Sequence, residues 1–170
     1  MTSRATLPLY LVSSATSLFG NASISIVLPW LVLLRTGDAA VAGLVAAASA
    51  MPSALAALIG GHLADRLGRR TITVLADVGS AVSVAALAVV DLTIGLSVPW
   101  FIALGVLGAL FDVPGMTARE AMVADVARTS GVSLDRVAAL RGALFGVSFL
   151  AGPALAGGLL ALIPATNVVW

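Results

Sequence analysis

The stretch IGGHLADRLGRRTITV, Ile59 to Val74, holds four charges and the only histidine of a chain whose residues are 60% apolar. Long apolar runs flank it, about Ala39 to Leu63 before and Thr71 to Val90 after. Three arginines at the centre of a bilayer would cost roughly 8 to 10 kcal/mol on the insertion scale. The cluster therefore reads as a solvated loop, 64–70, joining two spanning helices.

Composition extends that reading to the whole chain. With a mean hydropathy of +1.11 and only 10% charged residues, there is too little polar surface to cover a soluble globule of 170 residues. An all-α integral membrane protein is expected, with the lipid bilayer as its main partner. Net charge is +1, with no basic tail or aromatic-basic interleaving, so no nucleic-acid footprint is present. The chain has no cysteine, which excludes disulfides and thiolate chemistry.

A spanning helix needs roughly 20 mostly apolar residues. On that ruler the chain divides into five, at about 7–34, 39–63, 71–90, 100–113 and 137–163, and RTGD (Arg35 to Asp38) turns the first into the second. The first run is longer than the roughly 7 to 15 residues of a signal-peptide core, so it reads as retained. The stretch 116–136, TAREAMVADVARTSGVSLDR with the preceding methionine, alternates charge with Met122, Val123 and Val126 and reads as a second cytoplasmic loop lying along the interface. With the N-terminus cytoplasmic, Arg4, Arg66, Arg69, Arg70, Arg119, Arg128, Arg136 and Arg141 all face the cytoplasm, and only Arg35 does not. The all-arginine basic set and abundant alanine suggest a bacterial gene, hence a multi-pass protein of the plasma (inner) membrane.

Helix two carries PSALAALIGG (Pro52 to Gly61) and helix five PALAGGLLAL (Pro153 to Leu162), each a proline followed by small residues and a glycine pair. In the topology above these helices run in opposite directions, as inverted three-helix repeats require, although Ala/Gly/Leu-rich helices also resemble one another by chance. Gly142 and Gly146 add a GxxxG spacing suited to close helix packing.

The loop GGHLADRLGRR resembles the signature between helices two and three of the major facilitator superfamily, at Gly61, Asp65, Arg66, Gly68, Arg69 and Arg70. Local chemistry suits those positions: Gly61 permits close helix contact, Gly68 a turn with positive φ, and Asp65 charge-assisted bonding or a helix N-terminus. The resemblance implies a conformational latch between the halves of a transporter. GVSFLAGPALAGG is similar to the glycine-proline signature of exporters in that family, carried by Gly146, Gly152, Pro153, Gly157 and Gly158. SLFGNASISIVLPWLVL and FDVPGMTAREAMVADVA are similar to the group that contains the bacterial enterobactin exporter and related drug efflux proteins. The implied function is secondary active transport, proton-coupled efflux of small hydrophobic or amphipathic compounds.

Asp77 and Asp112 each lie seven residues from an arginine-bearing end, about 10 Å into helices three and four. Acids at that depth pair, protonate or face water, so they read either as structural ion-pair partners or as groups for proton coupling or cation recognition. Asn21 stands where many members of the group have an acid; with Ser17 and Ser25 it forms a polar stripe that either bonds between helices or lines the substrate path. Asp91 reads as solvated at the outer end of helix three. His62 has no triad or zinc spacing around it, and no nucleophile-base pair, metal cluster or phosphate loop is found, so no enzymatic activity, metal or cofactor is expected.

Members of the family have twelve spans in two halves of six, whereas five are read here, ending at NVVW where a sixth would begin. The expectation is an incomplete N-terminal half of that fold, a truncated chain or fragment that does not transport alone. The competing reading is a non-transporting membrane scaffold or degenerate half-domain.

Overall fold

The structure, a computed structural model, describes residues 5–162. Arg4, Ile163 and the terminal NVVW lie outside the described residues. Five helices follow one another: α1 Thr6–Thr36, α2 Ala39–Leu67, α3 Arg69–Thr93, α4 Val98–Ser130 and α5 Leu134–Leu162. All five are long and apolar enough to cross a membrane, and no strand occurs among the described residues.

Local chemistry sets the breaks. α1 ends on Gly37, whose left-handed backbone (φ 67°) returns its N–H to the Leu33 carbonyl at 2.8 Å. Asp38 then caps α2 by accepting from the Ala40 N–H at 2.7 Å. α4 closes the same way on Gly131, φ 72°, bonded to Ala127.

Two expected loops are much shorter than the sequence suggests. Residues 64–67 finish α2 and 69–70 begin α3, so the loop 64–70 contracts to Gly68 alone (φ 90°, ψ 133°). The stretch 116–136 is helix as far as Ser130, which leaves 131–133 as the connection. Pro114 does not stop α4, and a row of small and apolar residues keeps the extension buried: Ala118 packs with Ala64 and Ile72, and Val126 and Ala127 pack with Tyr10 and Val137. At 1.5 Å per residue α4 is about 50 Å long, well beyond the roughly 30 Å hydrocarbon core, so its charged end projects past the apolar layer.

α4 is the hub. It packs most extensively on α3 and α2, while α1 leans mainly on α5. Small residues make close approaches, tightest between α3 and α4, where Gly79 meets Phe111 and Gly115 meets Ala76; a Cβ on Gly60 would stand 2.9 Å from the Pro114 Cα, and one on Gly152 would stand 2.8 Å from the Ala22 Cβ. The last two contacts share one step along the chain. Ala22 to Pro114 and Gly60 to Gly152 are both 92 residues, as is the start of α1 at Thr6 to that of α4 at Val98. The contact of α2 with α4 thus has a counterpart, at one constant offset, in the contact of α5 with α1. The proline match, Pro52 to Pro153, is 101 residues and falls outside this register.

Large apolar side chains point outward, as with Met51, Leu58 and Leu150, each at least 74% exposed. That is the distribution a lipid solvent requires. The buried apolar residues gather near the two ends of the bundle: Val32, Val45, Leu87, Phe101 and Leu104 at one, Tyr10, Val126, Ala127 and Val137 at the other. Between them the bundle is hollow.

Candidate functional site

The hollow is a cavity of about 710 Å³ between α1, α2, α3 and α4. It exists because α4 holds α3 on one side while α1 turns toward α5, leaving α1 and α3 barely in contact. Gly20, Gly105 and Gly108 keep its wall low, and most of the lining is aliphatic. Its hydroxyls are largely spent on their own helices: Ser25 donates to the Ala22 carbonyl at 2.8 Å, Ser49 to Val45 at 3.2 Å and Ser83 to Gly79 at 3.0 Å. Asn21 lines the cavity and makes no hydrogen bond among the described residues, so its amide is free to meet a solute. Asp112 is the one titratable group in the lining, and Ser80 donates to its carboxylate.

Asp77 has different surroundings. It pairs with Arg119, whose side chain is only 5% exposed, while Asp77 itself is partly open. The backbone carbonyl of Arg119 accepts from the Tyr10 hydroxyl at 3.0 Å, which ties α1 to this point. Arg119 Nε is buried with no hydrogen-bond partner among the described residues, so Asp77 carries the neutralisation of that cation. Arg119, expected to face the cytoplasm, is instead buried against α3.

These pairs form a ladder down the antiparallel α3–α4 seam. Its rungs are Arg69 with Asp125 at 3.0 Å, Thr73 with the Met122 sulfur at 3.8 Å, Asp77 with Arg119, and Ser80 with Asp112. Arg69 also donates to the Ala121 carbonyl at 2.7 Å, and Asp125 binds Arg128 as well. The signal in the sequence is spacing, since polar residues recur along one face of each helix at 69, 73, 77 and 80 and at 112, 119 and 125, with Met122 between the last two.

The remaining members of the opening motif stand apart from the ladder. Asp65, Arg66 and Arg70 are exposed and form no ion pair among the described residues, and Asp65 does not cap α3. Gly61 has nothing within 4 Å of an added Cβ; the close approach belongs to Gly60. In α5, Gly152 packs on Ala22 and Ser23 with Pro153 beside it, whereas Gly146, Gly157 and Gly158 have open space around them among the described residues, as does Gly142. At the opposite end of the bundle Asp91 is buried, paired with Arg35 at 2.6 Å and accepting from the Leu96 N–H at 3.3 Å. The solvated position read for Asp91 is therefore corrected: an acid at the close of α3 is drawn inward by the one arginine at that end. Arg141 of α5 meets Glu120 of α4 at 3.0 Å.

A second cavity of about 190 Å³ lies between α1, α4 and α5 and shares Asn21 and Ser25 with the first.

Comparison with known proteins bears on this arrangement. The profile of the Major Facilitator Superfamily matches residues 10–170. The chain is 38% identical over 172 residues to the protein named Multidrug efflux pump Tap of Mycolicibacterium fortuitum, an alignment covering 99% of this chain and 42% of that protein. It is 34% identical over 168 residues to the protein of the same name in Mycobacterium tuberculosis (strain ATCC 25618 / H37Rv), covering 96% and 40%. The chain thus spans about two fifths of the length of these curated relatives. No solved structure matches it significantly.

Proposed function

The chain belongs to the Major Facilitator Superfamily, and from that premise we propose that it forms the N-terminal helices of a proton-coupled secondary transporter that exports small hydrophobic or amphipathic compounds. The observation that carries the proposal is the 710 Å³ cavity, a volume within the roughly 300 to 1,000 Å³ of small-molecule sites, with apolar walls and one carboxylate. The relatives' printed names, multidrug efflux pump, point to the same direction of movement.

In this reading Asn21 and Asp112 line the substrate path. Asp112 either binds a proton or faces a cationic solute, since an acid in a low-dielectric wall must be neutralised. Asp77 supports the site by balancing Arg119. On the positive-inside rule the reading takes the arginine-rich end, and the N-terminus with it, to lie on the cytoplasmic side of a bacterial plasma membrane. There Arg69 with Asp125 forms the fixed part of the latch, and Gly61, Asp65, Arg66, Gly68 and Arg70 present the part that engages other helices. In α5, Gly152 and Pro153 fix the contact with α1, and Gly146, Gly157 and Gly158 offer a smooth surface for a further neighbour. Because the relatives are more than twice as long, the 170 residues alone bind solute but do not carry it.

The test is a flux assay in inverted membrane vesicles bearing the protein at its relatives' length. Dye uptake that collapses with the proton gradient and falls at least tenfold in Asp112→Asn supports the reading. Uptake indifferent to both overturns it.

A further inference from the structure

The end of the bundle remote from Gly68 is closed in two layers. The inner layer is the apolar cluster of Val32, Val45, Leu87, Phe101 and Leu104. Leu87 and Leu104 also line the larger cavity, so this cluster is the wall that shuts the cavity at that end. The second layer lies one helical turn further out, with Arg35 three residues beyond Val32 and Asp91 four beyond Leu87.

In that layer a single carboxylate holds two elements. The Asp91 side chain is only 3% exposed, and each of its oxygens is engaged. Oδ2 accepts from Arg35, in the last turn of α1, at 2.6 Å, and Oδ1 accepts from the Leu96 N–H at 3.3 Å. Leu96 sits in the turn between α3 and α4, where Gly95 takes a φ of 79°, and it packs on the apolar cluster. Asp91 therefore ties down both the end of α1 and the turn that covers the cluster.

Direct packing between α1 and α3 is slight, and the Tyr10 hydroxyl ties α1 to α4 at the opposite end of the bundle. A buried ion pair adds little net stability beside apolar packing, but it fails abruptly, because displacing one partner leaves the other as an uncompensated charge. Such a joint suits a part that opens as a unit.

We propose that Asp91 is the latch of a lid formed by the α3–α4 turn and the end of α1, and that its release opens the larger cavity toward the membrane face opposite the arginine-rich end. This rests on the larger cavity being the solute path. Every part of the latch lies on α1, on α3 or in the turn after it, so the lid works inside one helix bundle and not between two.

The test uses the 170-residue chain, which has no native cysteine, in nanodiscs with a small cationic methanethiosulfonate. Val45→Cys, at a position 1% exposed beneath the lid, reports opening, and Thr73→Cys reports the α3–α4 seam. Val45→Cys is expected to react about tenfold faster with Asp91→Asn and about threefold faster with Arg35→Gln, but at the parent rate with Arg35→Lys, which keeps the charge. Thr73→Cys is expected to stay protected throughout. Asp91→Asn is also expected to raise the association and dissociation rates of the cationic dye ethidium by one common factor, leaving its affinity unchanged, as a gate does and a contact residue does not. Unchanged Val45→Cys rates, exposure of Thr73→Cys alongside, or ethidium exchange at the parent rate would each overturn the latch while leaving the cavity standing. Failure of the parent chain to bind ethidium would overturn the cavity reading itself and the lid with it.

Discussion

The α3–α4 seam and the α1–α5 seam each join two long helices through small residues, yet they differ in what is added. The first, with Gly79 on Phe111 and Gly115 on Ala76, also carries a ladder of charged and polar pairs, from Arg69 with Asp125 to Ser80 with Asp112. The second has a small-residue contact, Gly152 on Ala22, and beside it an aromatic-lined slot. A seam with buried charge has strict geometry, because a displaced partner leaves an uncompensated ion, whereas Gly152 on Ala22 depends on shape alone.

Breaking the ladder at its buried cation has the largest expected effect. Asp77→Asn leaves Arg119 without a counter-ion and is expected to cost about 3 kcal/mol, the low end for a buried pair because Asp77 is partly open. Thermal unfolding in detergent reads the loss, and the double variant Asp77→Asn with Arg119→Met is expected to recover most of it. A single variant as stable as the parent would remove the distinction between the seams.

Next comes the small-residue contact. Gly152→Val forces a side chain against Ala22 and is expected to cost about 1 to 3 kcal/mol by overpacking, whereas Gly146→Val, with open space around it, is expected to change stability little. Equal effects in the same unfolding assay would contradict the assigned contact.

At the exposed end of the ladder, Arg69→Gln is expected to cost about 1 kcal/mol or less, since both partners are over a third exposed and solvent screens them. Smallest in stability is Asp112→Asn: the amide retains an acceptor for Ser80, so unfolding is expected to move by less than about 1 kcal/mol while cation binding falls. Stability and binding thus separate at Asp112 and move together at Asp77, and a binding titration beside each melting curve shows which pattern holds.

The helices were legible in the sequence because twenty-residue apolar runs leave few alternatives. The end of α4 was not, because Pro114 and the charges after it look like a stop; its small and apolar face is recognised as buried only once Ala64, Ile72 and Tyr10 are known to cover it. The turn at Gly68 is legible from its place in the loop signature, and its backbone has the positive φ expected there. Gly60 was passed over for Gly61, because nothing local tells which of two adjacent glycines faces Pro114. The pairing of Asp77 was among the alternatives left open, but its partner lies 42 residues away and seemed solvated. The cavities are the least legible feature. They arise from helices that fail to touch, and a sequence records what each helix carries rather than the gaps between them.

The most direct test of the central claim, that solute reaches the space between α1 and α3, uses the absence of native cysteine. Ala109→Cys in the cavity wall and Thr73→Cys in the α3–α4 seam are exposed in intact membranes to a small cationic methanethiosulfonate, with and without ethidium. Ala109→Cys is expected to be modified, ethidium to slow the reaction, and Thr73→Cys to stay unmodified. An Ala109→Cys as unreactive as Thr73→Cys would contradict the claim.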